Sequence, residues 1–342
     1  MEQTHLGSPL KPLADLIQNA KSIILSTHRQ CDGDGLGAEL GLYHALKAAK
    51  KEVCVINVDG TPRKYRFLNP DQHIQYFESN TKVPKADLAL IFDTNDERLV
   101  EPLFSTLKAQ CKQIAFVDHH PVLKKGPKPT VESFINIQAA STGELAYNLI
   151  QELKLPMNQL SAQALYTSIT FDTQLFRFIR NSPRSHIIAA ELLKFDVGIE
   201  EIHRCLFGNQ TVQKMAFLAK ALSQIEYFCG GKLAVLKLKD SDMFHYNLEP
   251  DDSRDVIDML MNIETLEAAA LFREDAVNEY KLSLRSKGKI EVLSVAENFS
   301  GGGHVFAAGA FIKGNYSQLK EKIVKDLKNL IEEEFKTPMH GT

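Results

Sequence analysis

The sequence predicts an α/β fold: a first domain built on a parallel sheet, joined by a linker helix to a smaller α/β domain. Three observations predict it. Apolar, β-branched runs of strand length alternate with helical spacing through the first half, as parallel sheets require. Three of those runs end directly at clusters of acidic or imidazole side chains. After Cys229-Gly230-Gly231 the pattern restarts, with strands following one another more closely. A chain of 342 residues, 44% of them apolar, holds two cores at ~100–200 residues per domain. The expected boundaries are 1–195 for the first domain, 196–229 for the helical linker and 230–336 for the second domain.

Residues 13–21 have the spacing of a short amphipathic helix, and Ser22–Thr27 follows as a buried strand. A helix over 37–49 and a strand over Val53–Asn57 come next. Ala86–Phe92 is an apolar run ending at Asp93, and Ile114–Val117 is another ending at Asp118. Ligands in open α/β sheets bind beyond the carboxyl ends of strands, so these endings mark a site. Helices are expected over 141–154, 159–171, 183–194 and 211–226, the last serving as the linker. The second domain is expected to contain strands at 233–238, 266–273, 279–286 and 307–312, with Ile290–Val295 a candidate for one more. Helices over 251–263 and 316–335 complete it, and the tail after Phe335 is expected to fray.

Composition narrows the function. The formal net charge is -3, whereas a protein gripping long duplex DNA is usually basic or carries a basic stripe. The short clusters Arg63–Lys64–Arg66 and Lys124–Lys125–Lys128 fit a solvated loop face as well as a phosphate contact. A small anionic substrate suits this charge better than a long polymer. The five cysteines, Cys31, Cys54, Cys111, Cys205 and Cys229, are scattered without a CxxC pair, which argues against a disulfide framework or structural zinc. Met1–Pro12 lacks a signal-peptide core, and no apolar window approaches ~18 residues, so a cytoplasmic protein without a membrane span is expected.

Four clusters carry chemistry. His28, Asp32 and Asp34 fall within seven residues of a glycine-containing turn, where glycine lets the backbone fold tightly. A helix N-cap with solvated acids accounts for the same residues. Asp93 follows a buried strand, where turns often place aspartate. Asp118-His119-His120 sets two imidazoles beside a carboxylate at another strand end. Asp172 lies in an apolar helical context, where a carboxylate is costly unless paired or coordinated. Together they suit two divalent ions bridged by one carboxylate, manganese first, with magnesium or cobalt admissible. Cys31 lies inside the first cluster, but a thiolate suits such metals poorly.

In this order and spacing the clusters resemble the DHH phosphoesterase superfamily, and most closely its nano-RNase branch of oligoribonucleases that also hydrolyse 3′-phosphoadenosine 5′-phosphate. The resemblance spans about residues 13–335 and extends to Phe299-Ser-Gly-Gly-Gly-His304 with Ala307-Ala-Gly309, similar to the glycine-rich signature of the DHH-associated domain. It implies a DHH catalytic domain and a DHH-associated substrate-binding domain. It further implies one metal held by His28, Asp32 and Asp93, and a second by Asp34, Asp93, His119 and Asp172, with Asp93 bridging. Asp118 would orient a ligand by hydrogen bond, and His120 would lie near the scissile phosphate as a catalytic group. Arg285, Gly302, Gly303 and His304 would bind substrate, although a surface arginine and a flexible turn also account for them. Cys31, Ala38, Gln174 and Ser300 depart from the usual proline, serine, glycine and glycine, but remove no expected ligand.

The implied function is hydrolysis of short RNA or linear dinucleotides by a homodimer. A RecJ-type single-strand exonuclease needs a further nucleic-acid-binding barrel for which this length leaves no room. A family II inorganic pyrophosphatase lacks the Gly-Gly-Gly-His segment. A non-catalytic dinucleotide sensor would be favoured by loss of a ligand, and every ligand position is filled.

Overall fold

The structure, a computed structural model, describes residues 10–123 and 126–335. Lys124 and Lys125, the first nine residues and the tail after Phe335 lie outside the described residues. The chain divides after Asn209 into two compact units.

The first unit contains α1 (Leu10–Asn19), β1 (Ser22–Thr27), α2 (Gly33–Ala48), β2 (Glu52–Asn57), β3 (Ile74–Tyr76), β4 (Ala86–Phe92), α3 (Leu103–Gln110), β5 (Cys111–Asp118) and β6 (Phe134–Ile135). Then come α4 (Thr142–Glu152), α5 (Gln159–Asp172), α6 (Arg184–Leu192) and α7 (Ile199–His203). Its six strands pair in parallel in the order β3-β2-β1-β4-β5-β6. Strands of such a sheet are apolar on both sides because helices cover both. In β1, Ile23 and Leu25 join the cluster formed with α2, α4 and α5, whereas Ile24 packs with Leu103, Phe104 and Leu107 of α3. The strand order reverses direction between β1 and β4. That reversal opens a crevice at the carboxyl ends of the two strands, where doubly wound sheets bind ligands.

The second unit contains α8 (Val212–Leu222), β7 (Glu226–Phe228), β8 (Leu233–Leu238), α9 (Asp240–His245), α10 (Arg254–Leu260), β9 (Ala268–Ala276) and β10 (Glu279–Ser286). It ends with α11 (Val292–Glu297), β11 (Gly302–His304), β12 (Ala307–Lys313) and α12 (Tyr316–Phe335). The sheet runs β11-β12-β10-β9-β8-β7, parallel only between β8 and β9. The stretch 196–229, expected as a helical linker, divides between the units. α7 belongs to the first, while α8 sends Phe217, Leu218 and Ala221 into a core with β8 and β9. The candidate strand Ile290–Val295 is instead the start of α11, because Val292, Val295 and Ala296 stand three and four residues apart and bury one helical face. Among the described residues, no helix is long and apolar enough to cross a membrane.

Candidate metal centre

Three strand ends of the parallel sheet deliver the first unit's site: β1 leads into His28, β4 into Asp93, and β5 ends at Asp118. Asp93 leaves its strand with φ of 60°, a left-handed conformation that is uncommon without a side-chain or functional reason. α2 begins in the same place, and Asp32 is its N-cap, with Oδ1 accepting from the Asp34 and Gly35 backbone N–H groups at 3.0 and 3.3 Å. Its other oxygen, Oδ2, faces His28 Nε2 at 4.0 Å. One carboxylate therefore caps the helix with one oxygen and faces the imidazole with the other. Gly35 packs so closely that an added Cβ would collide with Thr27 Oγ1 and stand 3.4 Å from Asp93 Cβ.

Two of the donor groups meet at Asp93, which belongs to one and stands beside the other. His28, Asp32 and Asp93 form one, with His28 Nε2 at 3.3 Å from Asp93 Oδ2. Asp34, His119 and Asp172 form the other, with His119 Nε2 at 3.4 Å from Asp34 Oδ2 and 3.5 Å from Asp172 Oδ2. Asp93 Oδ1 stands 3.7 Å from the same His119 nitrogen, so the two oxygens of Asp93 face different groups. Both imidazoles are oriented from behind. His28 Nδ1 donates to the Arg29 carbonyl at 2.7 Å, and His119 Nδ1 donates to the Ala139 carbonyl at 3.2 Å. A carbonyl only accepts, so the hydrogen sits on Nδ1 and Nε2 turns its lone pair to the carboxylates.

Electrostatics fit a cation. Burial first, then the neighbouring carboxylates Asp34 and Asp32, push Asp93 well above the usual carboxylate range. Burial and Asp34 do the same to Asp172. Asp34 is lifted to about 6 by burial, against the Ser168 hydroxyl and the Thr142 and Gly143 N–H groups that bond it. Burial and the His120 charge hold His119 down at about 3, so it is a neutral donor. Oxygen-rich donors with two imidazoles and several clustered carboxylates are the chemistry of a divalent-cation site.

Asp118 and His120 stand differently. His120 Nδ1 lies 2.8 Å from Asp118 Oδ1 and 3.5 Å from Asp93 Oδ1. Asp118 also accepts from Asn95 Nδ2 at 2.6 Å and from the His120 N–H at 3.1 Å. Burial opposes protonation of His120, but the Asp118 carboxylate outweighs it and raises the imidazole to about 9. The Cys31 sulfur lies 4.0 Å from the Gly60 carbonyl and belongs to neither donor group. In the second unit, Arg285 Nε lies 3.6 Å from Asp258 Oδ1, and Gly302, Gly303 and His304 form β11 beside β12.

Several contributors were not among the expected residues. Thr142 donates its hydroxyl to Asp93 Oδ1 at 3.0 Å and its N–H to Asp34 Oδ2 at 2.8 Å, which puts the N-terminus of α4 against the site. Ser168 bonds Asp34 from α5, and the Arg180 charge acts on both Asp172 and His119. The signal available for Thr142 was Ser141-Thr-Gly-Glu144, a capping-box sequence that fixes where α4 starts. Ser168 and Arg180 carry no comparable local signature.

The comparisons agree with this layout. The DHH family, N-terminal domain, matches residues 22–169, and the DHHA1 domain matches residues 230–333. The chain is 28% identical over 306 residues to the bifunctional oligoribonuclease and PAP phosphatase NrnA of Thermus thermophilus, covering 89% of this chain and 88% of that protein. It is 26% identical over 321 residues to the protein of the same name from Bacillus subtilis, covering 91% and 95%. An exopolyphosphatase-related protein from Bacteroides fragilis shares the fold, with a TM-score of 0.82 and 22% identity over 97% of this chain and 98% of that one. The two models match in order along the chain, so residues 22–169 form a DHH domain and residues 230–333 a DHHA1 domain.

Proposed function

We propose that this protein is a metal-dependent phosphoesterase that hydrolyses short oligoribonucleotides or linear dinucleotides to mononucleotides, and 3′-phosphoadenosine 5′-phosphate to AMP. The observation that carries the reading is Asp93, whose two oxygens face separate imidazole and carboxylate groups at the carboxyl ends of β1 and β4. The names borne by its relatives from Thermus thermophilus and Bacillus subtilis support the substrate class. On this reading His28, Asp32 and Asp93 hold one divalent ion, and Asp34, Asp93, His119 and Asp172 hold a second. Manganese is preferred, because oxygen-rich sets with some imidazole suit it. Bound there, two such ions neutralise phosphate charge and favour in-line displacement at phosphorus.

The chain's own residues supply the rest. Asp118 keeps His120 protonated and aimed, so an imidazolium meets the charge that develops on the phosphate oxygens. Residues 1–195 act as the catalytic domain and 230–336 as the substrate-binding domain, where Arg285, Gly302, Gly303 and His304 anchor a phosphate. A cytoplasmic homodimer belongs to the same reading.

The test is manganese-dependent release of mononucleotide from a dinucleotide, then competition among a dinucleotide, a five-mer and a twenty-four-mer of RNA. Substrates of roughly two to five nucleotides should be preferred, since the chain has little of the basic track that long strands use. Processive degradation of the twenty-four-mer at the dinucleotide's rate favours a RecJ-type exonuclease. Tight dinucleotide binding without turnover favours a sensor.

A further inference from the structure

The second unit's sheet is covered unequally. One face sends Leu282, Leu284, Ala308, Ala310 and Ile312 into a core with α11 and α12. The other is covered over β8 and β9, where Leu236, Ala269 and Leu271 pack with Phe217, Met243 and Val256 from α8, α9 and α10. Over β10, β12 and β11 this second face is polar. Strand alternation puts Lys281, Ser283 and Arg285 on it, and register pairs them with Phe311, Gly309 and Ala307. Gly302 and His304 of β11 pair in turn with Gly309 and Ala307.

Lys281 lies along this face toward the glycine strand. A Cβ at Gly309 would stand 3.7 and 3.8 Å from its Cε and Nζ, so the lysine passes over the space that glycine leaves. Its Nζ is 4.2 Å from the Phe311 ring centroid. The ammonium therefore lies over β12, at the register that Gly309 shares with Ser283 and Gly302, and within the electrostatic reach of Arg285 on its own strand. The surroundings are rich in cations. Arg254 has Asp251 at 2.8 Å, Arg273 has Asp275 at 2.6 Å, and Arg285 has Asp258 at 3.6 Å. Lys281 makes no ion pair among the described residues. Burial, then Arg254 and Arg273, with Asp275 opposing, push its amine down to about 7.

We propose that Lys281 is a second phosphate-binding group on this face, taking a terminal phosphomonoester together with Arg285; the inference rests on the reading of Arg285 as a substrate anchor. Two cations with a deficit of counter-charge match a dianion better than the monoanionic phosphodiester inside a strand. A bound dianion also restores the lysine's full charge, since an opposite charge nearby favours the protonated form. Ser283 and the N–H groups of β11 lie at the same register for further hydrogen bonds. Lys281 thus favours ligands that end in a phosphate over those that end in a hydroxyl.

The test compares binding of 5′-AMP and adenosine to the full-length protein by calorimetry, which needs no turnover. Lys281→Met, which keeps the apolar stem, should lower the preference for 5′-AMP about tenfold and leave adenosine binding unchanged. Lys281→Arg should retain most of the preference. Thermal unfolding of each variant checks the fold, and Lys281→Met should be no less stable, because a half-buried charge without an ion-pair partner among the described residues is removed. An unchanged preference in Lys281→Met overturns the proposal, whatever Arg285→Ala does. An unchanged preference in Arg285→Ala alone overturns the anchor reading and leaves Lys281 as the phosphate group.

Discussion

Asp93→Asn keeps the shape of the side chain and removes one negative charge from the point where the two donor groups meet. Its consequences have opposite signs with and without metal. In metal-free protein, Asp93 is buried among Asp34, Asp32, Asp118 and Asp172, and burial and those charges raise its pKa far above the ordinary value. A carboxylate whose folded pKa is raised binds its proton more tightly in the native state. Its contribution to stability is therefore lost as pH rises from the unfolded value through the folded one. Two like charges ~4 Å apart at an effective dielectric of ~20 repel by about 4 kcal/mol, and protonation and nearby imidazoles offset much of that. Relief of about 1–3 kcal/mol remains, or about 2–4 °C of unfolding temperature per kcal/mol for a unit of this size. In chelator near neutral pH, Asp93→Asn should thus melt several degrees above wild type. With manganese the order should invert, because the amide keeps one neutral, weaker oxygen for one donor group and turns a non-coordinating NH2 to the other. Loss of about 4 kcal/mol of transition-state stabilisation corresponds to a ~10³-fold fall in kcat/KM for a dinucleotide. Calorimetric melting in chelator and in manganese, metal stoichiometry and turnover read all of this. A variant that melts lower in chelator, or that binds two ions and turns over near the wild-type rate, refutes the assignment of Asp93 as the shared ligand.

Three further outcomes follow from the same geometry. His120→Ala should lower kcat with little change in KM, because an interaction made mainly in the transition state leaves ground-state binding alone; a rise in KM at unchanged kcat contradicts that role. Glu39 is fully buried, accepts from Asn57 Nδ2 at 2.6 Å, and is raised to about 8 by burial, so native stability should fall as pH rises from about 4.5 to 8, and Glu39→Gln should flatten that slope in pH-dependent unfolding. Gly35→Ala should cost about 1–3 kcal/mol and weaken manganese binding, since a Cβ there displaces Thr27 and presses on Asp93; a wild-type unfolding midpoint together with unchanged affinity contradicts the close packing.

The long apolar strands were legible almost to the residue. β1, β4, β8 and β10 are continuous or strictly alternating runs bounded by polar residues, and burial on one or both faces leaves their sequences little freedom. The short strands were not. β3 has three residues and β6 two, below any period that a pattern can establish, and both are positioned by pairing with longer neighbours. α11 shows the opposite difficulty. Val292 and Val295 look strand-like by propensity, and only the core beneath them selects the helical spacing.

The site divides along a similar line. Its charged members were legible because a carboxylate or imidazole at a strand end, three times over, with a fourth carboxylate in an apolar helix, is difficult to explain without a ligand. The groups that orient them were not, because a hydroxyl in a helix or an amide in a loop has an innocuous reading and acquires its role only through a contact remote in sequence. Thr142 meets Asp34 across 108 residues, and Ser168 meets it across 134. Asn95 reaches Asp118 across 23. None of these distances is encoded locally; each follows from the order of strands in the sheet, which sets the starts of α2 and α4 and the ends of β1, β4 and β5 around one point. Once that order is known, the N-cap interpretation of Asp32 and the ligand interpretation cease to compete. The helix N-terminus needs an acceptor, the proposed metal site needs a carboxylate, and one side chain with two oxygens can serve both because α2 starts where β1 ends. Conversion of Asp32 to serine separates them. The cap should largely survive, while the Oδ2 facing His28 is gone, so helix stability should change by only a few tenths of a kcal/mol while manganese affinity falls. A drop in both together would mean that the cap, and not the second oxygen, is what the site depends on.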